Sequence, residues 1–208
     1  MTVCSQIALG AYYYATLPER RRRNALRAKS GDSPIMILFY HRIANDSPND
    51  WTISEAGFAR HIHWLKSNFD LLSLDAAQQR IREGSNTRPA VAITFDDGYA
   101  DNCRFGLPLL IQERIPVTYF VTSHHVMTGT PFPHDVAAGA PLCPNTIDQL
   151  KSLVDAGVEI GAHTRTHADL GAERDPTLLY DEVVGCREDL ESQLGCGIRY
   201  FAFPYGLH

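Results

Sequence analysis

The chain has 208 residues, 44% hydrophobic and 21% charged, which is enough apolar side chain for one globular domain and too much for a disordered or fibrous protein. Nineteen basic against 24 acidic residues leave a formal net charge of -5, so no basic field recommends nucleic acid as a partner. The five cysteines, Cys4, Cys103, Cys143, Cys186 and Cys196, include no close CxxC pair; this argues against a disulfide framework and a cysteine zinc site, and favours a reducing compartment.

Residues 1–33 read as an N-terminal extension, helical in character, ahead of a domain over 34–208. Met1 to Thr16 is moderately apolar but has no basic n-region and is interrupted by Ser5, Gln6 and three tyrosines. That pattern makes a poor signal peptide and is too polar and short for a membrane span, so the expected compartment is the cytoplasm. Arg20 to Arg23 follow directly. The expected reading is the solvated end of a peripheral helix, with association to an anionic membrane surface as the alternative.

From Pro34 the chain alternates. Ile35 to Tyr40 is a continuous apolar run, predicted as a buried strand ending at His41 and Arg42. Ser54 caps a predicted helix to Asn68 with Phe58, Ile62 and Leu65 on one stripe, and a second helix covers Leu74 to Glu83. Val91 to Phe95 is predicted as the central strand, Gly106 to Glu113 as a helix, and Val117 to Thr122 as a strand. Ser123 to Asn145 reads as a long irregular loop, of the kind that is more often functional than idle. Thr146 caps a helix to Ala156, Val158 to Ala162 is a strand ending at His163, Thr177 to Leu194 is helical, and Ile198 to Phe203 is a fifth strand ending at Pro204, Tyr205 and Gly206. Strands alternating with helices predict an α/β fold with a parallel sheet or barrel, whose site forms at the carboxyl ends of the strands.

The polar residues fall at those ends: His41; Asp96 and Asp97; His124 and His125; His163 and His167; Pro204 and Tyr205. Adjacent residues of a strand point to opposite faces, so Asp96 and Asp97 share one site only if the chain turns, and Gly98 permits that turn. His163 and His167 are four apart, a spacing that a helical turn brings to one side. Two neutral imidazoles and the carboxylate of Asp97 suit zinc or a similar divalent ion, whereas Thr164 in the second position excludes the HExxH metalloprotease pattern. His41, His124, His125 and His134 read more simply as capped or satisfied polar histidines than as catalytic ones.

Three ordered segments, Thr94-Phe95-Asp96-Asp97-Gly98, His163-Thr164-Arg165-Thr166-His167, and Arg199 with Pro204-Tyr205-Gly206, resemble the first three motifs of the polysaccharide deacetylases, carbohydrate esterase family four. The resemblance covers about Ile35 to Gly206. It implies a distorted parallel (β/α) barrel, incomplete at the C-terminus, that removes acetyl groups from an N-acetylated, or less readily O-acetylated, oligo- or polysaccharide. It further implies that Asp97, His163 and His167 hold a divalent metal, zinc by preference, that Asp96 is the base, that Arg199 pairs with Asp96, and that the backbone N–H of Tyr205 binds the oxyanion, with Pro204 and Tyr205 touching substrate. Thr164 and Thr166 would support the turn.

The late Leu-x-His motif of that family, whose histidine is a general acid, has no counterpart; Leu207-His208 lacks the spacing. Two alternatives therefore stand beside the enzyme: a remnant that binds metal or glycan without catalysis, and an enzyme acting on another small amide. Missing strands would also leave an apolar sheet edge open to self-association.

Overall fold

The structure, a computed structural model, describes residues 3–206, so Leu207 and His208 lie outside the described residues. In chain order the elements are α1 (Val3–Ser30), β1 (Ile35–Tyr40), β2 (Arg42–Ile43), β3 (Thr52–Ile53), α2 (Glu55–Asn68), β4 (Asp70–Leu72), α3 (Leu74–Glu83), β5 (Ala90–Phe95) and a 3-10 turn at Ala100–Cys103. They continue with α4 (Gly106–Gln112), β6 (Val117–Val121), α5 (Ser123–Thr128), α6 (Pro133–Ala137), α7 (Ile147–Asp155), β7 (Glu159–Ala162), α8 (Pro176–Tyr180), a π-helical segment Asp181–Gly185, α9 (Cys186–Leu194) and a last 3-10 turn at Pro204–Gly206.

The main sheet is wholly parallel, in the order β1-β5-β6-β7. All six residues of β5 pair with β1, from Ile35↔Ala90 to Tyr40↔Phe95; on its other edge β4 bonds the first half of β5 and β6 the second. A strand enclosed in this way is buried on both faces, which is why β5 is a continuous apolar run. Val91, Ile93 and Phe95 pack with Phe58, Ile62 and Leu65 of α2 and with Leu107 and Leu110 of α4. Ala90 and Ala92, on the opposite face, join Leu72, Leu74, Ala77 and Phe120. Burying a side chain such as Phe58 contributes about 1.5–3 kcal/mol, so these two clusters hold the sheet that carries the strand ends.

The predicted caps at Ser54 and Thr146 hold: the Ser54 hydroxyl accepts from Gly57 N, and Thr146 and Gln149 form a reciprocal capping box; Ser73, not read as a cap in the sequence, also accepts from Ala76 N. Three expectations change. The fifth strand, Ile198 to Phe203, is reduced to a single parallel bridge, Ala162↔Phe201, with Ala162 N donating to Tyr200 O and Ala202 N to Ala162 O. Among the described residues that segment has only β7 beside it, and a segment bonded along one edge is held by fewer backbone bonds. The stretch Ser123 to Asn145 is not irregular throughout: it carries α5, closed by Gly129 at φ 70°, and α6, opened by Pro133, whose ring pre-sets the first helical residue. The helix from Thr177 to Leu194 contains a π-helical segment.

The sheet is open among the described residues, as an incomplete barrel would be. Among the described residues β1 is paired only by β5, and Ile37 and Phe39 stand exposed on the face opposite Met36, Leu38 and Tyr40, which pack on the first cluster.

Candidate active site at the carboxyl end of the sheet

The carboxyl end of β5 makes the turn that two adjacent acids require. Asp96 N donates to Tyr40 O, after which Asp97 itself takes a left-handed conformation at φ 75° and Gly98 follows at φ 98°. A side chain at Gly98 would meet Val121 at 3.2 Å, so glycine serves both the turn and the packing of β6 against it. Both carboxylates consequently line one cavity of about 500 Å³, together with His41, His134, His163, His167 and the aromatic residues Phe39, Trp51, Phe203 and Tyr205.

At the end of β7, His163 and His167 reach the same cavity, though not by way of a helical turn. Thr164 and His167 are left-handed, each at φ 63°, and the loop is secured from outside. Thr164 Oγ1 accepts from Ala168 N, Thr166 Oγ1 donates to Glu182, and Cys186 Sγ lies 3.0 Å from Thr164 O. Arg165, which the sequence reading left without a role, donates to both oxygens of Asp189 and to Asp181. The π-helical segment thus supplies Asp181 and Glu182 to the loop that carries the histidines, and both threonines support the turn as expected.

The three side chains form a compact donor set. Nε2 of His163 and Nε2 of His167 lie 3.5 and 3.2 Å from the same oxygen, Asp97 Oδ1, and candidate ligand atoms of all three lie within 4.8 Å of one another. His163 Nδ1 lies 3.0 Å from the carbonyl oxygen of Ala202, which can only accept, so Nδ1 carries the proton and the Nε2 of a neutral ring presents a lone pair. A lone pair facing a carboxylate oxygen needs a positive charge between them. Asp97 Oδ1 is buried without a hydrogen-bond partner, a cost that a cation removes. One carboxylate oxygen and two imidazoles fit a divalent metal, and by donor type they suit zinc.

The electrostatics separate the two acids. Burial would raise the Asp97 carboxyl, but its interactions with His163 and His167 outweigh burial and hold it well below the usual carboxylate range. Asp96 moves the other way: burial pushes its carboxyl up to about 6, Asp97 adds to the rise, and His163 and His167 oppose it. Asp96 Oδ1 is also buried without a partner. Neighbouring carboxylates set to different proton affinities are what a ligand and a base require.

Arg199 is not part of this site. Its guanidinium donates to Glu159 Oε1 at 2.6 and 3.1 Å, and Glu159 is the first residue of β7, at the opposite end of the sheet from Asp96. The register explains this: with Phe201 bridged to Ala162, Arg199 lies beside the start of β7 rather than beyond its end. Tyr205 lines the cavity, left-handed at φ 64° with its ring 5.0 Å from that of His167, whereas Pro204 is buried and does not line it.

Two of the four doubtful histidines do reach the cavity. His41, at the end of β1, tilts against Trp51 with ring centroids 4.7 Å apart, and its ring makes no hydrogen bond to the described residues. Burial lowers its pKa, partly offset by Asp97. Asn102 holds this segment by accepting from Ile43 N and donating to His41 O, while buried Arg42 ties it to Asp101, Asp46 O and Ser47 O. His134 is positioned by Tyr99, whose hydroxyl lies 3.1 Å from His134 Nε2 and donates to Asp135. His124 and His125 stay off the cavity; His125 Nδ1 faces Thr130 O and its ring lies on Phe132. The aromatic rim of Phe39, Trp51 and Phe203 went unread in the sequence, although each aromatic residue stands close to a strand end.

Fold and site define a parallel α/β protein with a carboxylate and bis-histidine cluster at its strand ends. Residues 83–208 match the family model for polysaccharide deacetylase, and the chain belongs to that family. It is 29% identical over 140 residues to the chitooligosaccharide deacetylase of Bradyrhizobium sp. (strain ANU 289), across 66% of this chain and 55% of that protein. It is also 29% identical over 136 residues to YxkH of Bacillus subtilis (strain 168), across 64% of this chain and 43% of that protein, so it spans about half the length of these curated relatives. Among solved structures, IcaB from Ammonifex degensii aligns with a TM-score of 0.70 at 24% identity, covering 85% of this chain and 76% of that one. The Streptococcus pyogenes deacetylase PplD in complex with acetate aligns with a TM-score of 0.67 at 22% identity, covering 84% and 75%. At those identities the two structures speak for the fold. Among the described residues no helix is long and apolar enough to cross a membrane.

Proposed function

We propose that the protein hydrolyses the acetyl group of an N-acetylated carbohydrate, using a water molecule activated beside Asp97, His163 and His167. The observation that carries this reading is the convergence of those three side chains next to the unpartnered carboxylate of Asp96, in a cavity rimmed by aromatic rings. A divalent cation held there, zinc by donor type, supplies a lowered pKa for bound water and polarises the acetyl carbonyl.

The chain's own groups do the rest. Asp96 accepts the water proton, and its raised pKa brings its proton affinity towards the working range of a base. In this reading the backbone N–H of Tyr205, a cavity-lining residue, donates to the developing oxyanion. The faces of Trp51, Phe39 and Tyr205 hold the apolar side of a sugar ring. The leaving amine needs a proton, and His41 is the donor: it lines the cavity with its ring nitrogens making no hydrogen bond among the described residues, whereas His134 is engaged by Tyr99. Burial lowers its pKa, so the imidazolium that can donate is favoured only as pH falls. This reading places the general acid at the end of β1.

A relative supports the substrate class, since one of the matched proteins is a chitooligosaccharide deacetylase. The test is elemental analysis of the purified chain together with acetate release from an acetylated chitooligosaccharide, with and without chelator. Stoichiometric metal and chelator-sensitive release are expected. Metal without release would make the chain a binding remnant, and a folded chain without metal would overturn the ligand assignment.

A further inference from the structure

The long helix α1 contributes nothing to the core: none of its described side chains is buried. Ile7, Leu9, Tyr12, Tyr13, Tyr14 and Leu26 are 49–72% exposed, an uncommon concentration of large apolar side chains in water. The arrangement of these residues identifies what covers them.

Successive helical residues are rotated by about 100°, so Ile7, Leu9, Tyr12, Tyr13 and Tyr14 point around the whole circumference instead of along one stripe. The half of α1 before Pro18 holds no charged residue; the other half opens on Glu19 and then Arg20, Arg21, Arg22 and Arg23, which encircle the axis in the same way. A partner helix or a second copy of the chain would require a single apolar seam. An uncharged, tyrosine-rich cylinder followed by a collar of guanidinium groups instead matches the profile of a bilayer leaflet, in which tyrosines favour the headgroup level and cations favour anionic lipid. Arg20 links the two zones already, with Cζ 4.2 Å from the centre of the Tyr13 ring and Nη2 donating to Tyr13 O. From Ile7 to Leu17 the helix rises roughly 15 Å, about half the thickness of a hydrocarbon core.

We propose that α1 docks the protein on an anionic lipid bilayer, with its uncharged half entering one leaflet and Arg20 to Arg23 seated among the headgroups. The sequence reading preferred a solvated peripheral helix; the exposure of apolar side chains on every side of α1 reverses that preference.

The test uses the full chain and co-sedimentation with phosphatidylcholine vesicles, with and without phosphatidylserine. Binding is expected to the anionic vesicles and to weaken as salt is raised. Replacing all four arginines by Gln should weaken it by about a hundredfold or more. Replacing Tyr12, Tyr13 and Tyr14 by Ser should abolish the fraction that survives high salt. In an otherwise native chain, Tyr13→Trp should shift its emission to the blue on anionic vesicles and be quenched by brominated lipid. Unchanged melting of both multiple variants shows that the domain remains folded. A chain that stays in the supernatant with both vesicle types overturns the proposal, as does vesicle binding that neither variant alters. A dimer in light scattering that the tyrosine variant dissociates, without vesicle binding, would assign the surface to a second copy instead.

Discussion

The two ends of one parallel sheet treat carboxylates in opposite ways. At the amino end Glu159, the first residue of β7, accepts from Arg199 and from Thr118, and Asp70, the first residue of β4, is bridged by Arg80 and Arg88. Those acids are partly exposed and paired. At the carboxyl end Asp96 and Asp97 each keep a buried oxygen without a hydrogen bond, and Asp97, Thr164, His167 and Tyr205 all adopt left-handed backbone. Each such residue costs on the order of 1 kcal/mol or more, which the packed sheet beneath must offset. The same residue types thus serve stability where water and arginine reach them, and chemistry where the fold denies them both.

The largest test of that contrast removes a proposed ligand. Asp97→Ala should lower acetate release by a thousandfold or more and lose the metal in elemental analysis; retention of stoichiometric metal would break the assignment. Next is the proposed base: Asp96→Asn should retain the metal yet lose on the order of a hundred- to ten-thousandfold in rate. The same change sharpens the energetic side of the comparison. Because burial raises the folded-state pKa of Asp96 to about 6, the folded state disfavours its charge above that pH, and the penalty vanishes as pH falls below the unfolded value of 3.8. Metal-free Asp96→Asn should therefore be more stable than the parent by up to about 3 kcal/mol near pH 8, with the gain disappearing at low pH, as read by urea denaturation across pH.

A smaller effect is expected where the site is only supported. Arg165→Met removes the tie to Asp189 and Asp181 but no ligand, and should weaken metal affinity by about tenfold in a competition titration. The smallest belongs to the opposite end. Arg199→Ala breaks an exposed pair with Glu159, so it should leave the urea midpoint almost unmoved and acetate release within roughly twofold. A hundredfold loss there would mean that Arg199 serves Asp96 after all.

Much of the site was legible because its signals are local. An apolar run cut off by Asp96, Asp97 and Gly98, and a pair of histidines just past another strand, can be read without tertiary information, and the structure brings Asp97, His163 and His167 together. What failed was non-local. Arg199 is near Pro204 in sequence, but the register of one bridge sends its side chain to Glu159. His41 and Trp51 are ordinary residues in the sequence, and only the folding of the β1 end over β5 makes them a wall of the cavity.

The sequence alone determined the alternation of strands and helices, the caps at Ser54 and Thr146, and the candidate donor set of Asp97, His163 and His167, because periodicity, capping and ligand chemistry act within a few residues. Tertiary structure decided how His163 and His167 converge, through left-handed turns held by Arg165 and Glu182, and which carboxylate lost its charge stabilisation. Those depend on burial and on partners distant in the chain, and local pattern carries neither.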